Sequence, residues 1–175
     1  MDLRKKIKRL VTALSMIVIT AMVTAAQADL DVRIVDVPEK VAAIDDAIAT
    51  FKKTERHLSD VDAIIFRSDD AVKKIVAEMV LGSGNDRIEW ISESYFADGK
   101  LIFVADRFDR YNQKEETGPN AAKTPVRPAQ KSYFYKGKLV LFLKGGKVVD
   151  WTKPEFEMRE SWALGLIESI LNPEH

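Results

Sequence analysis

The chain has no cysteine, and of its two histidines one is the final residue. No disulfide can staple the fold, no thiolate is available as a nucleophile, and no lipid can be attached through cysteine at a processing site. A zinc centre needs Cys, His or carboxylate ligands at close spacing, and none shows. A covalent triad would have to use His57, for which no partner is in view. H-E-x-x-H, G-x-S-x-G, the P-loop and G-x-G-x-x-G are all missing. Gly82-Ser83-Gly84 is too short a match and precedes a strand instead of a helix. No cofactor and no metal are expected.

An excess of charge is lacking too. The 175 residues sum to zero, but the balance is uneven. Arg4, Lys5, Lys6, Lys8 and Arg9 precede an apolar run from Leu10 to about Ala26, and Ala26-Gln27-Ala28 follows as a small-x-small site. These are the three parts of a secretory signal. The run is short for a spanning helix of ~20 residues. Cleavage after Ala28 is expected, leaving a periplasmic or secreted chain, 29–175, with no membrane span. That chain carries 22 basic and 26 acidic residues, a net of −4. Nucleic-acid binders usually show a basic excess, so no nucleic-acid partner is expected. A chain of this length makes one domain and needs no staples.

Asp31 to Val35 alternates and reads as a short strand. Asp36-Val37-Pro38-Glu39 reads as a capping box with proline in the first turn. Val41, Ile44, Ile48 and Phe51 continue at helical spacing, with Lys52, Lys53, Arg56 and His57 suiting a helix C-terminus. A helix over 38–57 is expected. Asp62 to Arg67 is strand-like. Over 68–82 two readings compete. Val72, Ile75, Val76, Met79 and Val80 make a helical stripe, whereas Phe66, Asp69-Asp70 and Val72 can be laid over the hairpin at Phe96, Asp98-Gly99 and Leu101. The hairpin is the reading adopted.

Asp98-Gly99 suits a type I′ turn. It places Phe96 opposite Leu101, Ser94 opposite Phe103 and Trp90 opposite Arg107. One face then holds Trp90, Phe96, Leu101, Phe103 and Ala105. The other holds Glu89, Glu93, Tyr95, Asp106 and Arg110. Residues 112–129 are polar and proline-rich and read as a long loop. A second copy turns at Lys136-Gly137, and a third turn falls at Gly145-Gly146. There Leu143 opposes Val148 and Val140 opposes Trp151, so that Val140, Phe142, Val149 and Trp151 share a face opposite Leu139, Leu141 and Leu143. Thr152-Lys153-Pro154-Glu155 opens a helix over 154–171, with Phe156, Trp162, Ala163, Leu166, Ile167 and Ile170 as its apolar side.

Tyr95-Phe96-x-x-Gly99-Lys100-Leu101, Tyr111, Tyr133-Phe134-x-x-Gly137-Lys138-Leu139 and the upstream Lys74-Ile75 resemble a set of uncharacterised secreted bacterial proteins. The resemblance covers about residues 62–151. It implies a β-meander whose hairpins repeat the Tyr-Phe-x-x-Gly-Lys-Leu motif, and it implies no activity.

The expected fold is α+β: a meander of six or seven antiparallel strands with an N-terminal and a C-terminal helix. The function read from the residues is non-enzymatic binding of a protein or small ligand in the envelope, through a surface holding Glu89, Glu93, Tyr95, Asp106 and Tyr111. The alternative is a hydrolase of cell-wall or sugar material that uses the carboxylates of that face. Carboxylates converging in a closed pocket would favour the enzyme. Nothing in the sequence sets the oligomeric state.

Overall fold

Two of the hairpins are set by turns that need positive φ at both central residues. Asp98 and Gly99 hold 51° and 69°, and Lys136 and Gly137 hold 52° and 79°, as type I′ geometry requires. A computed structural model describes residues 33–82, 87–110, 124–125 and 127–172. The elements are α1 (Val37–Ala47), β1 (Lys52–Leu58), β2 (Val61–Ser68), β3 (Ala71–Leu81), β4 (Ile88–Ala97), β5 (Lys100–Arg110), β6 (Thr124–Pro125), β7 (Gln130–Tyr135), β8 (Lys138–Lys144), β9 (Lys147–Val148) and α2 (Pro154–Leu171). A single 3-10 turn, Ile48–Thr50, follows α1.

The strands form one antiparallel sheet in the order β1-β2-β3-β4-β5-β7-β8-β9, with β6 paired to β5. The fold is α+β, a meander between an N-terminal and a C-terminal helix. Among the described residues, nine strands form the sheet, more than expected, because β6 adds a two-residue piece and β1 takes residues read as helix.

Residues 68–82 hold a hairpin turn and the strand β3, not a helix, and Asp69 holds the positive φ of that turn at 54°. The repeat therefore has three copies, and all three share a further feature. The register shifts at Phe66/Arg67, at Tyr95/Phe96 and at Tyr133/Phe134. Each shift leaves one residue of the returning strand without a cross-strand partner: Lys73, Ile102 and Val140. Arg67 faces Val72 as Phe96 faces Leu101, so Phe66 occupies the place of Tyr95, one position from where the overlay set it.

A bulge re-aims every later side chain of its strand. Phe96 does oppose Leu101, but Ser94 opposes Val104 and Trp90 opposes Phe108, not Phe103 and Arg107. Val104 and Asp106 thereby join Trp90, while Phe103 and Ala105 cross to the side of Tyr95. The bulge at Val140 likewise unites Leu139 and Phe142 on one face. Leu143 opposes Val148 as expected, but β9 ends there. Trp151 is 75% exposed and does not pair with Val140.

The main core lies on the Trp90 face. Ile65, Ile75, Trp90, Val104, Phe134 and Phe142 meet Phe156, Ala163, Ile167 and Ile170 of α2. The buried positions of α2 fall at 156, 159, 163, 167 and 170, one helical stripe. Trp162 is 41% exposed, because it lies off that stripe. Lys153, not Thr152, is the N-cap and makes no side-chain cap bond. The Thr152 hydroxyl instead donates to Asp150, so no capping box forms.

α1 lies against β4 and β5 on the opposite face. Val37 is its buried residue, and Val41, Ile44 and Ile48 continue the same side half-buried. Asp36 makes no capping hydrogen bond. Its carboxylate pairs with Lys40 at 2.7 Å. The helix also stops at Ala47, ten residues short of His57. Phe51 is extended (φ −82°, ψ 145°), and Lys52–Leu58 is a strand in which Thr54, Arg56 and Leu58 alternate as the less exposed side. That period of two was hidden by an apolar series that ran on to Phe51. Arg33 and Ile34 are helical where a strand was expected. Most of the predicted 112–129 loop, with Tyr111 and the turn 83–86, lies outside the described residues. Within the loop, Thr124–Pro125 pairs with Asp109 and Arg110.

Gly99→Val is expected to cost ~1–2 kcal/mol in a urea melt, since a β-branched residue resists left-handed backbone. Its Cβ would meet nothing within 4 Å, so the loss reports conformation alone. An unchanged midpoint would rule out the turn geometry.

Candidate functional site

Two buried polar clusters sit on opposite faces of the sheet. Neither is the surface expected from the sequence, although each takes part of it.

On the α1 face, Lys74 is 5% and Tyr95 3% exposed. They are cross-strand partners on β3 and β4. The Lys74 ammonium reaches Asp45 Oδ1 at 2.8 Å and Glu93 Oε1 at 2.9 Å. It also donates to Tyr95 OH at 2.8 Å, and that hydroxyl donates to Asp45 Oδ2 at 3.0 Å. Burial works against the Lys74 charge, but the bonds to Asp45, Tyr95 and Glu93 raise its pKa above the ordinary lysine value. Lys74 is thus a fixed cation, not a base. Burial pushes the Tyr95 phenol up to about 12 against the pull of Lys74, with Glu93 and Asp45 adding to the rise. The cluster ties α1 to the sheet. The two carboxylates that converge here share one lysine and are over 40% exposed as side chains, not enclosed.

Tyr95 offers a direct check. Its folded pKa lies above the free value near 10, so its contribution to stability is present below that value and lost as pH rises towards 12. Absorbance titration of the four tyrosines should show one late component that vanishes in Tyr95→Phe. Simultaneous ionisation of all tyrosines would contradict the bonding described.

On the α2 face, the bulge at Ile102 delivers Asp106 beneath the helix. Arg159 Nη2 lies 2.6 Å from Asp106 Oδ2, with the side chains 5% and 1% exposed. Arg159 Nε donates to Ser132 Oγ at 2.8 Å. Its guanidinium stands 5.0 Å from the Trp162 ring and 5.8 Å from the Phe142 ring. Burial raises the Asp106 pKa, opposed by Arg159, Ser92 and Trp90. Burial lowers that of Arg159, opposed by Asp106. At 2.6 Å the contact favours the charged pair. Ser92 is the cross-strand neighbour of Asp106. Its hydroxyl, both Asp106 oxygens and Arg159 Nη2 all lack a hydrogen bond of good geometry, so Asp106 and Arg159 are held by charge at close contact.

This pair forms the floor of a groove of about 540 Å³ between the sheet and α2. Its walls are mainly apolar and include Met79, Trp90, Phe108, Phe142, Met158 and Trp162. Trp90 and Trp162 meet edge to face at 4.9 Å between centroids. Ligand pockets commonly hold ~300–1,000 Å³ and combine apolar walls with few polar groups.

The five residues singled out in the sequence are therefore dispersed. Glu93 and Tyr95 meet at Lys74, and Asp106 is on the other face. Glu89 lines a separate polar cleft with Asp60, Asp62, Glu78 and Arg87. Tyr111 lies outside the described residues. Asp45, Lys74, Ser132 and Arg159 were not picked out as site residues. Arg159 was readable, since it interrupts the apolar stripe of α2 between Phe156 and Ala163. His57 is on β1, bonded to Asp62 at 2.7 Å and largely exposed.

Among the described residues, no three His, Cys, Asp or Glu side chains come together to hold a metal. No helix among them is long and apolar enough to cross a membrane. No family model, curated protein or solved structure matches the chain.

Proposed function

We propose that this protein is an exported, non-enzymatic binding protein of the bacterial envelope, with its ligand site in the groove between the sheet and α2. The observation that carries the reading is the aromatic-walled groove over a buried Asp106–Arg159 pair. Apolar walls supply affinity through burial, and a few fixed polar groups supply orientation. The placement of the carboxylates singled out in the sequence supports binding over hydrolysis. Glu93 is engaged by Lys74 and Asp106 by Arg159, on opposite faces.

The test is a fluorescence titration of the mature chain with the neutral dye N-phenyl-1-naphthylamine. Saturable binding of one dye per chain, weakened several-fold by Trp162→Ala, is expected. An unsaturable signal, or one untouched by Trp162→Ala, would dismiss the groove as the site. Export has its own check. Material recovered from the envelope fraction should begin at Asp29, whereas membrane-bound material that retains Met1 would mean an anchor.

A further inference from the structure

The charges of the groove are matched, but the hydrogen bonds of Asp106 are incomplete, and the gap specifies a ligand. Arg159 donates Nε to Ser132, holds Nη2 2.6 Å from Asp106 Oδ2 as an ion pair without a hydrogen bond of good geometry, and lies near the rings of Trp162 and Phe142. Its charge is already matched by Asp106. Asp106 is 3% exposed and lines the groove, with Arg159 near Oδ2 and no hydrogen bond of good geometry on either oxygen. An ionised carboxylate can only accept. Ser92 and Trp90 lie close enough to favour its charge, without completing a well-formed bond to Oδ1.

The second carboxylate of the lining, Glu155, is bonded to Lys144 at 2.6 Å. The groove lining thus holds two carboxylates, one guanidinium and the neutral Gln130 carboxamide. A carboxylate ligand would enter against Asp106 and Glu155, with the one cation already paired. A wholly apolar ligand would leave the Asp106 oxygen buried and unanswered, which is unfavourable.

We propose that the groove selects a neutral molecule with a ring-sized apolar body, packed against Trp90, Phe142 and Trp162, and a hydroxyl or amide N–H that donates to Asp106. The proposal rests on the groove being the ligand site and adds the chemistry of the ligand. A free fatty acid or other organic anion is the wrong class, because its head group can only accept.

The experiment is displacement of N-phenyl-1-naphthylamine from the mature wild-type chain at neutral pH by naphthalene, 1-naphthol and 1-naphthoate. The three share one ring system and differ only in the head group. 1-Naphthol should displace the dye at about tenfold lower concentration than either of the others, the usual scale for one buried acceptor left unpaired or paired. Equal or better displacement by 1-naphthoate, or by naphthalene, overturns the inference and leaves the groove standing. Absence of saturable dye binding removes the groove itself. In Asp106→Asn, whose amide both donates and accepts, the preference for 1-naphthol over 1-naphthoate should shrink several-fold. Should that variant fail to fold, the wild-type series decides alone.

Discussion

Asp106→Ala is expected to destabilise the protein by about 3–5 kcal/mol, the cost of stranding a buried charge. Arg159 is 6% exposed and bonds otherwise to Ser132 alone among the hydrogen bonds described. With Asp106 gone, the guanidinium keeps its desolvation cost and loses the charge that offsets it. The reverse variant, Arg159→Met, should cost less than Asp106→Ala. Asp106 already has a raised pKa and can become neutral by taking a proton, an escape closed to arginine. The double variant Asp106→Leu/Arg159→Met should recover most of the loss, because an apolar pair of similar bulk needs no desolvation. Equilibrium urea unfolding of the set measures all of this. A loss under ~1 kcal/mol for Asp106→Ala, typical of exposed pairs, would show that the pair is hydrated.

Deleting the residues after Lys153 should abolish cooperative folding. α2 contributes Phe156, Ala163, Ile167 and Ile170 to the core, each 9% exposed or less. Burial of a Phe or Ile side chain is worth ~1.5–3 kcal/mol, against a typical whole stability of ~5–15 kcal/mol. Removing the helix also uncovers Phe142, which is 1% exposed. The truncated chain should keep strand-like far-UV circular dichroism while losing near-UV signal and binding a hydrophobic dye, the marks of a molten state. Phe142→Ser should be damaging for the same reason. A truncated chain with a sharp melt would mean that the hairpins stand without the helix. Trp151 and Trp162 take no part in this total, being 75% and 41% exposed.

The hairpins were legible because independent signals agree at each of them. Asp98-Gly99 and Lys136-Gly137 carry turn chemistry, and the flanking residues repeat with the same spacing. The repeat also decided 68–82, where periodicity alone would have produced a helix. The bulges were not legible. Ile102 and Val140 are ordinary strand formers, and no residue type marks the one that loses its partner. That single shift moved Asp106 from the face of Glu93 to the face of Trp90, so the expected carboxylate surface divided in two. The end of α1 failed for another reason. Val41, Ile44, Ile48 and Phe51 extend a helical series by chance into a chain that has already turned, and the alternation of Lys52–Leu58 was read as a basic helix end. Lys74 meets Asp45 across 29 residues of sequence, and no local pattern announces such a contact. Arg159 could have been found, since a charged residue in a buried helical stripe calls for a partner.

The order of the strands has a consequence for how fast the chain reaches this fold. Nearly every pair in the sheet joins neighbours in sequence, so the hairpins close short loops at little entropic cost, and such local topologies fold quickly. The two helices are the exceptions. Asp45 of α1 reaches forward 50 residues to Tyr95. The arginine of α2 reaches back 27 residues to Ser132 and further still to Asp106, and the apolar side of α2 packs on strands laid down early in the chain. Docking of α2 is the long-range step that must wait for the end of the chain, and until it occurs the Trp90 face of the meander has no cover. The helix also comes off the ribosome after every strand it protects. The lifetime of the exposed sheet, and with it the tendency of the chain to aggregate before it is finished, is governed by how soon Pro154–Leu171 arrives.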